Sequence, residues 1–338
     1  MNKKRVLAML LAGAMALSMT ACGGNSASTD GSSNDSGASA SGGSYKVSVI
    51  LKTLAAEYWQ YVKSGAEDYA SEHSDKVTVE VKGPSSETAF DEMQNMIETD
   101  LSSGSYDGVI ISPLQSDTAA QLVSGTKLPI VAIDTNFTAP EVKSFVGTGN
   151  EAAAKKGGEA AVEAAKAAGW TDIKCIEIAG VQGDQTNTAR MNGYKAGVEE
   201  AGGTFLSDEV QYADATADRA TTAMEAIMQT HPEGIAIICA NNDDMAMAAA
   251  RAAQGHDAYK NTIFLGFNGD RAACEAILDG QMTMSVAQMA YEMGYKAVET
   301  MVQVLDGETV DEFVDSGSDV VTPDNAQERL DTLKTQLH

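Results

Sequence analysis

Residues 234–253, GIAIICANNDDMAMAAARAA, contain the pattern that decides the fold. The stretch 234–240 has no charged side chain and predicts a strand buried on both faces, and the alanine-rich segment after Asn241-Asn242-Asp243 predicts a helix. Strands that are apolar at nearly every position occur mostly in parallel sheets covered by helices on both sides. This stretch therefore indicates an α/β architecture.

The same strand-then-helix unit recurs along the chain from Tyr45 onward. The predicted strands are 45–51, 76–82, 107–112, 128–134, 144–148, 173–180, 234–240, 262–267 and 282–288. The predicted helices are 57–72, 86–103, 150–168, 184–201, 214–230, 242–254, 269–279 and 290–305. Such an alternation predicts doubly wound parallel sheets, which bind ligands at the carboxyl ends of their strands.

Charge and composition exclude several classes of protein. The 338 residues include 23 basic and 48 acidic side chains, a net charge of −25, so the basic face that a nucleic-acid binder needs is missing. Only four histidines occur, and no cysteines are spaced as metal ligands, so we expect neither a metal site nor a cofactor. The length suggests about two domains.

The first residues predict an export signal and a lipid anchor. Residues 1–22 carry charges at Lys3, Lys4 and Arg5, then an apolar stretch, then small residues before Cys22, which favours a bacterial lipoprotein signal with Cys22 as the lipidated residue. A plain signal peptide with an incidental cysteine is the alternative. Residues 23–44 are rich in glycine and serine and predict a flexible linker. We therefore expect an extracytoplasmic protein attached to the bacterial cell membrane.

The other cysteines lie inside apolar segments. Cys175 and Cys239 fall in predicted strands and Cys274 falls in a predicted helix. Buried free thiols are the favoured interpretation, and one disulfide is the alternative.

Polar side chains stand where five of the predicted strands end. They are Lys52, Asp134, the Asn241-Asn242-Asp243 segment, Asn268 and Gln288. Side chains of these types form hydrogen bonds but have little acid–base range, so they favour recognition of a neutral polyhydroxyl ligand over catalysis. Helix capping is the alternative for Asn242 and Asn268. Asp134 is the one acidic side chain that this pattern assigns to the ligand.

Two further segments fit a sugar site. Tyr58, Trp59 and Tyr61 begin the first predicted helix, and flat aromatic rings suit the apolar faces of a sugar, although the same rings also suit a core. Residues 179–197 leave a predicted strand through a glycine-rich turn and enter a helix that carries Arg190. The glycines of this segment do not match a dinucleotide-binding motif.

From Tyr45 onward the chain resembles the ribose-, galactose- and arabinose-type sugar-binding proteins of ABC transporters, the periplasmic-binding-protein type 1 family. The matching segments are KTLAAEYWQYVKSGA (52–66), VAIDTN (131–136), TARMNGY (188–194), THPEGIAIICANNDDMAMAAARA (230–252), GFNGDRAACEAILDGQMTMSVAQ (266–288) and GYKAVETMVQVLDGE (294–308). Related sugar-responsive repressors carry a DNA-binding segment where this chain has its predicted export signal.

The resemblance implies a set of ligand-binding residues, and several of the matching positions differ from the ribose type. The implied set is Lys52, Tyr58, Trp59, Asp134, Arg190, Asn242, Asn268 and Gln288. Ala56, Thr135 and Ala215 stand where the ribose type has a polar residue, an arginine and an aromatic residue, and Asn268 stands where it has an aspartate. These differences imply a pocket roomier than a ribose pocket.

The resemblance also implies two doubly wound lobes joined by three crossings of the chain. The implied lobes are 45–148 with 289–317, and 149–288 with 318–338. A sugar bound between them would drive hinge closure, and a membrane permease would accept the closed form. We expect a monomer. We also expect no enzymatic activity, because no acid–base carboxylate pair stands at the strand ends. A sensory module that presents its closed form to a chemotaxis or kinase receptor is the alternative.

Overall fold

The structure, a computed structural model, describes residues 44–337. The predicted signal 1–22, the lipidation residue Cys22 and the linker up to residue 43 lie outside the described residues. Within the described range, no helix is both long enough and apolar enough to cross a membrane.

Strands and helices alternate along the chain. The strands are β1 (Tyr45–Ile50), β2 (Val77–Lys82), β3 (Gly108–Ile111), β4 (Ile130–Ile133), β5 (Val142–Gly147), β6 (Lys174–Ala179), β7 (Thr204–Phe205), β8 (Gln211–Tyr212), β9 (Ile237–Ala240), β10 (Ile263–Asn268), β11 (Met284–Gln288), β12 (Phe313–Asp315) and β13 (Ser318–Val321). The α-helices are α1 (Glu57–Glu72), α2 (Phe90–Ser103), α3 (Ser116–Val123), α4 (Asn150–Ala167), α5 (Gln185–Glu200), α6 (Ala217–Thr230), α7 (Asp243–Ala253), α8 (Arg271–Leu278), α9 (Ala290–Leu305) and α10 (Ala326–Leu333).

The strands form two sheets. The first has the order β12-β5-β4-β3-β1-β2, and all its pairs are parallel. The second has the order β13-β11-β10-β9-β6-β7, with β8 also paired to β6, and only the β11–β13 pair is antiparallel. The predicted α/β class with two parallel sheets is therefore confirmed.

The chain passes between the two sheets three times. It leaves the first sheet after Gly147, returns after Gln288, and leaves again between Asp315 and Ser318. The division into two lobes at 148/149, 288/289 and 317/318 stays a prediction.

All nine predicted strands and all eight predicted helices are present, with ends that shift by a few residues. The sequence pattern missed the short strands β7, β8, β12 and β13 and the helices α3 and α10. Cys175, Cys239 and Cys274 are free thiols, as favoured, and the Cys175 and Cys239 sulfurs lie 3.3 Å apart on neighbouring strands.

Glycines let two pairs of helices approach to backbone contact. A methyl group at Gly65 of α1 would collide with the Tyr291 carbonyl of α9, and one at Gly294 of α9 would collide with the Val62 carbonyl of α1. The α4–α5 pair has the same construction at Gly193 and Gly197. Close approach of this kind requires residues without a Cβ, and it fixes where α1 and α5 stand above their sheets.

We expect Gly294→Ala to lower the free energy of unfolding by about 1–3 kcal/mol, because the new methyl group meets backbone that no side-chain rotation can move. Alanine has the higher helix propensity, so a helix free of this contact would be stabilised instead. Chemical denaturation measures the difference. The exposed Glu292→Ala on the same helix is the control, and an unchanged or increased stability of Gly294→Ala would contradict the close crossing.

Candidate functional site: a cavity between the two sheets

The cavity between the two sheets contains all eight predicted site residues. Its volume is about 60 Å³, room for several heavy atoms, since one ordered water needs ~10–15 Å³. The predicted residues among its lining are Lys52, Tyr58, Trp59, Asp134, Arg190, Asn242, Asn268 and Gln288. The structure therefore brings the whole predicted set together. Their role in binding a ligand stays a prediction.

The strand ends deliver most of these side chains to the cavity. Lys52 and Asp134 follow β1 and β4 of the first sheet, and Asn268 and Gln288 are the last residues of β10 and β11 of the second. The capping alternative is also correct for Asn242, whose side chain accepts a hydrogen bond of 2.9 Å from the Met245 amide at the start of α7. Asn268 is not a cap, because the N-cap position of α8 belongs to Asp270.

Two of the three aromatic residues at the start of α1 line the cavity. The rings of Tyr58 and Trp59 meet edge to face, with centroids 4.9 Å apart. The Tyr58 hydroxyl donates to Asp134 Oδ1 over 2.8 Å, and the Trp59 indole donates to Glu87 Oε1 over 3.0 Å. Tyr61 is a core residue, as the alternative interpretation had it.

Lys52 connects the two sides of the cavity. Its ammonium forms a hydrogen-bonded ion pair with Asp184 of the opposite side and lies 4.0 Å from Asp134 Oδ2. Burial disfavours the charged ammonium, yet the surrounding carboxylates outweigh that cost, first Asp184 and then Asp134, and raise the pKa of Lys52. Lys52 is therefore a fixed cation that is already largely neutralised by the protein.

Arg190 is held rigidly but without an acidic partner. Its Nε donates to Asn150 Oδ1 over 2.9 Å, its Nη1 donates to the Asn241 carbonyl over 2.8 Å, and its guanidinium carbon lies 3.8 Å from the Phe267 ring centroid. No carboxylate of residues 44–337 lies within 4.0 Å of its nitrogens, and Nη2 has no hydrogen-bond partner among those residues. The guanidinium is thus oriented, with Nη2 available to a ligand.

The cavity lining contains more acidic side chains than the strand-end pattern marked. Besides Asp134, the carboxylates of Glu87, Asp184, Asp244 and Asp270 line the cavity. Asp184 and Asp270 occupy the N-cap positions of α5 and α8, so their sequence context predicts only capping. Glu87 lies in the loop after β2, where no strand-end pattern marks it.

Left-handed backbone concentrates at the cavity. Four residues other than glycine have positive φ angles among the described residues, and three of them, Asp134 (62°), Ala215 (58°) and Asn268 (138°), line the cavity. Alanine at such an angle costs roughly 1–3 kcal/mol, which the surrounding structure must offset. The main chain is therefore held in place where the polar side chains project.

Comparison with known proteins identifies the family of this chain. The family model described as "Periplasmic binding protein domain" matches residues 47–309. The chain belongs to the periplasmic binding protein family.

Similar proteins include binding proteins of sugar import. The chain is 28% identical over 268 residues to the ribose import binding protein of Escherichia coli (strain K12), covering 78% of this chain and 86% of that protein. It is 30% identical over 264 residues to the D-allose-binding periplasmic protein of the same organism, covering 75% and 82%. These relatives are binding proteins for transport, and the family is one of substrate-binding proteins rather than enzymes.

Solved structures show the same fold. An ABC transporter solute-binding protein from Agrobacterium vitis with bound D-fucose aligns with a TM-score of 0.76 at 24% identity, over 87% of this chain and 100% of that one. One from Mycobacterium smegmatis with bound glycerol aligns with a TM-score of 0.73 at 26% identity, over 85% and 96%.

A strand of this periplasmic binding protein carries a fully buried carboxyl group. Glu177, in the middle of β6, is fully buried, and neither of its side-chain oxygens has a hydrogen-bond partner among the described residues. Burial raises the pKa of Glu177 to about 8, and the charge of Arg190 only partly opposes this. The folded protein therefore keeps Glu177 protonated under conditions in which the unfolded chain ionises it.

We expect Glu177 to make the folded protein less stable as pH rises from about 4.5 to about 8. Its pKa is higher in the folded state, so its contribution is fully present below the unfolded pKa and is lost through the folded one. Glu177→Gln, which cannot ionise, removes this slope and is more stable than the parent at pH values above about 8 by roughly 3–5 kcal/mol. Denaturation across the pH range measures both effects.

The matched control for Glu177→Gln is Glu199→Gln on the exposed face of α5, which should leave the pH slope unchanged. Equal slopes for the parent and Glu177→Gln would show that Glu177 is ionised in the folded protein.

Proposed function

We propose that this protein is an extracytoplasmic, lipid-anchored receptor that binds a monosaccharide, a pentose or hexose, and delivers it to an ABC importer. The observation that carries the proposal is a cavity with oriented polar side chains and two aromatic rings at the carboxyl ends of two parallel sheets. Hydroxyl groups both donate and accept, so they match a wall that offers an arginine, amides and carboxylates. Relatives named for ribose and D-allose support the same class of ligand.

The proposed mechanism is closure of two lobes, 45–148 with 289–317 and 149–288 with 318–338, around the sugar. Polar contacts already join the two sides: Lys52 pairs with Asp184, and the hydroxyls of Thr135 and Thr186 lie 2.7 Å apart. A ligand that contacts both sides adds its binding energy to this closed arrangement and shifts the population toward it. The permease would then receive the loaded, closed form.

We expect at least one member of a panel of pentoses, hexoses and their furanose forms to raise the melting temperature, because only the folded cleft binds the sugar. Differential scanning fluorimetry followed by calorimetry measures the shift and the affinity. Arg190→Ala should weaken that binding by about 100-fold or more, since it removes an oriented charged donor from a closed cavity.

Arg251→Ala is the matched control for Arg190→Ala: it removes an exposed arginine of α7 that does not line this cavity. The assignment of the cavity fails if Arg190→Ala binds like the parent. The sugar class itself fails if no member of the panel shifts the melting temperature.

The lipid anchor is tested separately. We expect the full chain, expressed in a bacterium fed a labelled fatty acid, to incorporate the label and to sediment with membranes, and Cys22→Ser to lose both properties. Cys274→Ser, which changes a buried thiol of α8, is the control and should stay labelled. An unlabelled parent protein would leave the plain signal peptide as the correct interpretation of residues 1–22.

A further inference from the structure

The cavity lining holds more negative charge than a neutral sugar requires. Five carboxylates face two cations there, and one of the cations, Lys52, is already paired with Asp184. Charged carboxylates that lose water without gaining a cation are costly to bury. A carboxylate of the lining without a cation beside it would therefore favour a ligand that supplies one.

Asp270 is the buried carboxylate of the lining without a cationic partner. It is 9% exposed, and no lysine, arginine or histidine nitrogen of residues 44–337 lies within 4.0 Å of it. The adjacent Arg271 turns instead to Glu57, at 3.3 Å. Burial, and next the neighbouring Asp243 carboxylate, raise the pKa of Asp270 well above its usual range. A positive charge from the ligand would relieve both effects.

Two side-chain amides beside Asp270 leave a buried acceptor without a partner among the described residues. Gln288 Nε2 donates to Asn268 Oδ1 over 3.0 Å, and Asn268 Nδ2 donates to Asp270 Oδ2 over 3.2 Å. Gln288 is 1% exposed, and its Oε1 has no hydrogen-bond partner among the described residues. Each amide keeps a second N–H, and the acceptors without a hydrogen-bond partner among the described residues are Gln288 Oε1 and Asp270 Oδ1.

We propose that the ligand is a monosaccharide that carries a basic amino group, with its ammonium held at Asp270 and Gln288 Oε1 accepting a further donor. This inference rests on the proposed function and narrows its substrate class. An ammonium group brings three donors and a positive charge, which suit the acceptors Asp270 and Gln288 Oε1. It adds no further acceptor. A hydroxyl brings one donor and no charge. Among residues 44–337 no three carboxylate, histidine or cysteine side chains are grouped so that they could hold a metal ion.

The test compares amino sugars with their neutral parents. Calorimetry at about pH 6, where the amine is protonated, is run with D-glucosamine, D-galactosamine and D-mannosamine, with D-glucose, D-galactose and D-mannose, and with the three N-acetyl derivatives. At least one amino sugar should bind about tenfold or more tighter than both its neutral parent and its N-acetyl form.

The two levels of the argument fail in different ways. If a neutral sugar of each pair binds as tightly as the amine or more tightly, the amino-sugar inference is wrong and the sugar-receptor function stands. If none of these nine sugars binds but a neutral sugar of the earlier panel does, the amino-sugar inference is again wrong and the function stands. If no sugar of either panel binds, the proposed function is wrong and the inference falls with it. Stabilisation by calcium chloride that disappears in Asp270→Asn would assign the carboxylate to a metal ion and overturn the inference.

The variant Asp270→Asn isolates the carboxylate. It should reduce the ratio of amino-sugar to neutral-sugar affinity about tenfold, and because both affinities come from the same variant, any change in folding cancels. Asp279→Asn at the other end of α8 is the control, since Asp279 is exposed and lies outside this cavity. An undiminished ratio in Asp270→Asn would remove Asp270 from the recognition of the amine.

Discussion

A buried ammonium holds the cavity of this protein together. Lys52 follows the first strand of one sheet, and its partner Asp184 caps a helix of the other, so their ion pair is both a contact across the cavity and a constraint on its width. Asp134 and Glu87 add to the negative field around the same ammonium. Breaking a buried ion pair on one side leaves the other charge without compensation, at a cost of several kcal/mol. The ion pair of Lys52 is thus the contact that ties the two sides of the cavity to each other.

This electrostatic arrangement makes the cavity asymmetric. On the side of Lys52, the carboxylates have a protein cation, and Tyr58 and Thr135 also donate to Asp134, over 2.8 Å and 2.9 Å. On the side of Asp270, the Asn268 amide donates to the carboxylate, and no lysine, arginine or histidine nitrogen of residues 44–337 lies within 4.0 Å of it. Arg190 faces the cavity with its guanidinium Nη2, which has no hydrogen-bond partner among residues 44–337. A ligand that fits must therefore present different chemistry at its two ends, which is a stronger condition than being rich in hydroxyl groups.

The sequence predicted the fold from its buried strands, and it predicted the cavity positions of Lys52, Asp134, Asn242, Asn268 and Gln288 from strand ends. Tyr58, Trp59 and Arg190 lie on helices, and their place in the set came from the family resemblance. A buried parallel strand is recognised in the sequence as an uninterrupted run of apolar residues. The residue after it lies at the edge of the sheet where ligands bind. Strands of two or three residues, such as β7 and β12, are too short to show a period. Asp184 and Asp270 were missed for a different reason. An aspartate before a helix is explained by capping, so nothing local distinguishes one that also lines a cavity, and Glu87 reaches the site only through the course of its loop.

The glycine crossings of α1 with α9 and of α4 with α5 bear on how such a receptor acquires new ligands. Contacts between two backbones have no rotamers to exchange, so the helices that carry Tyr58 and Arg190 cannot drift when neighbouring side chains change. Replacements at Ala56 or Ala215 would therefore alter the outline of the cavity without displacing its anchors. Ligand specificity can then change by single substitutions while the helices keep their positions. The same property makes the protein a practical scaffold for engineered sugar sensors.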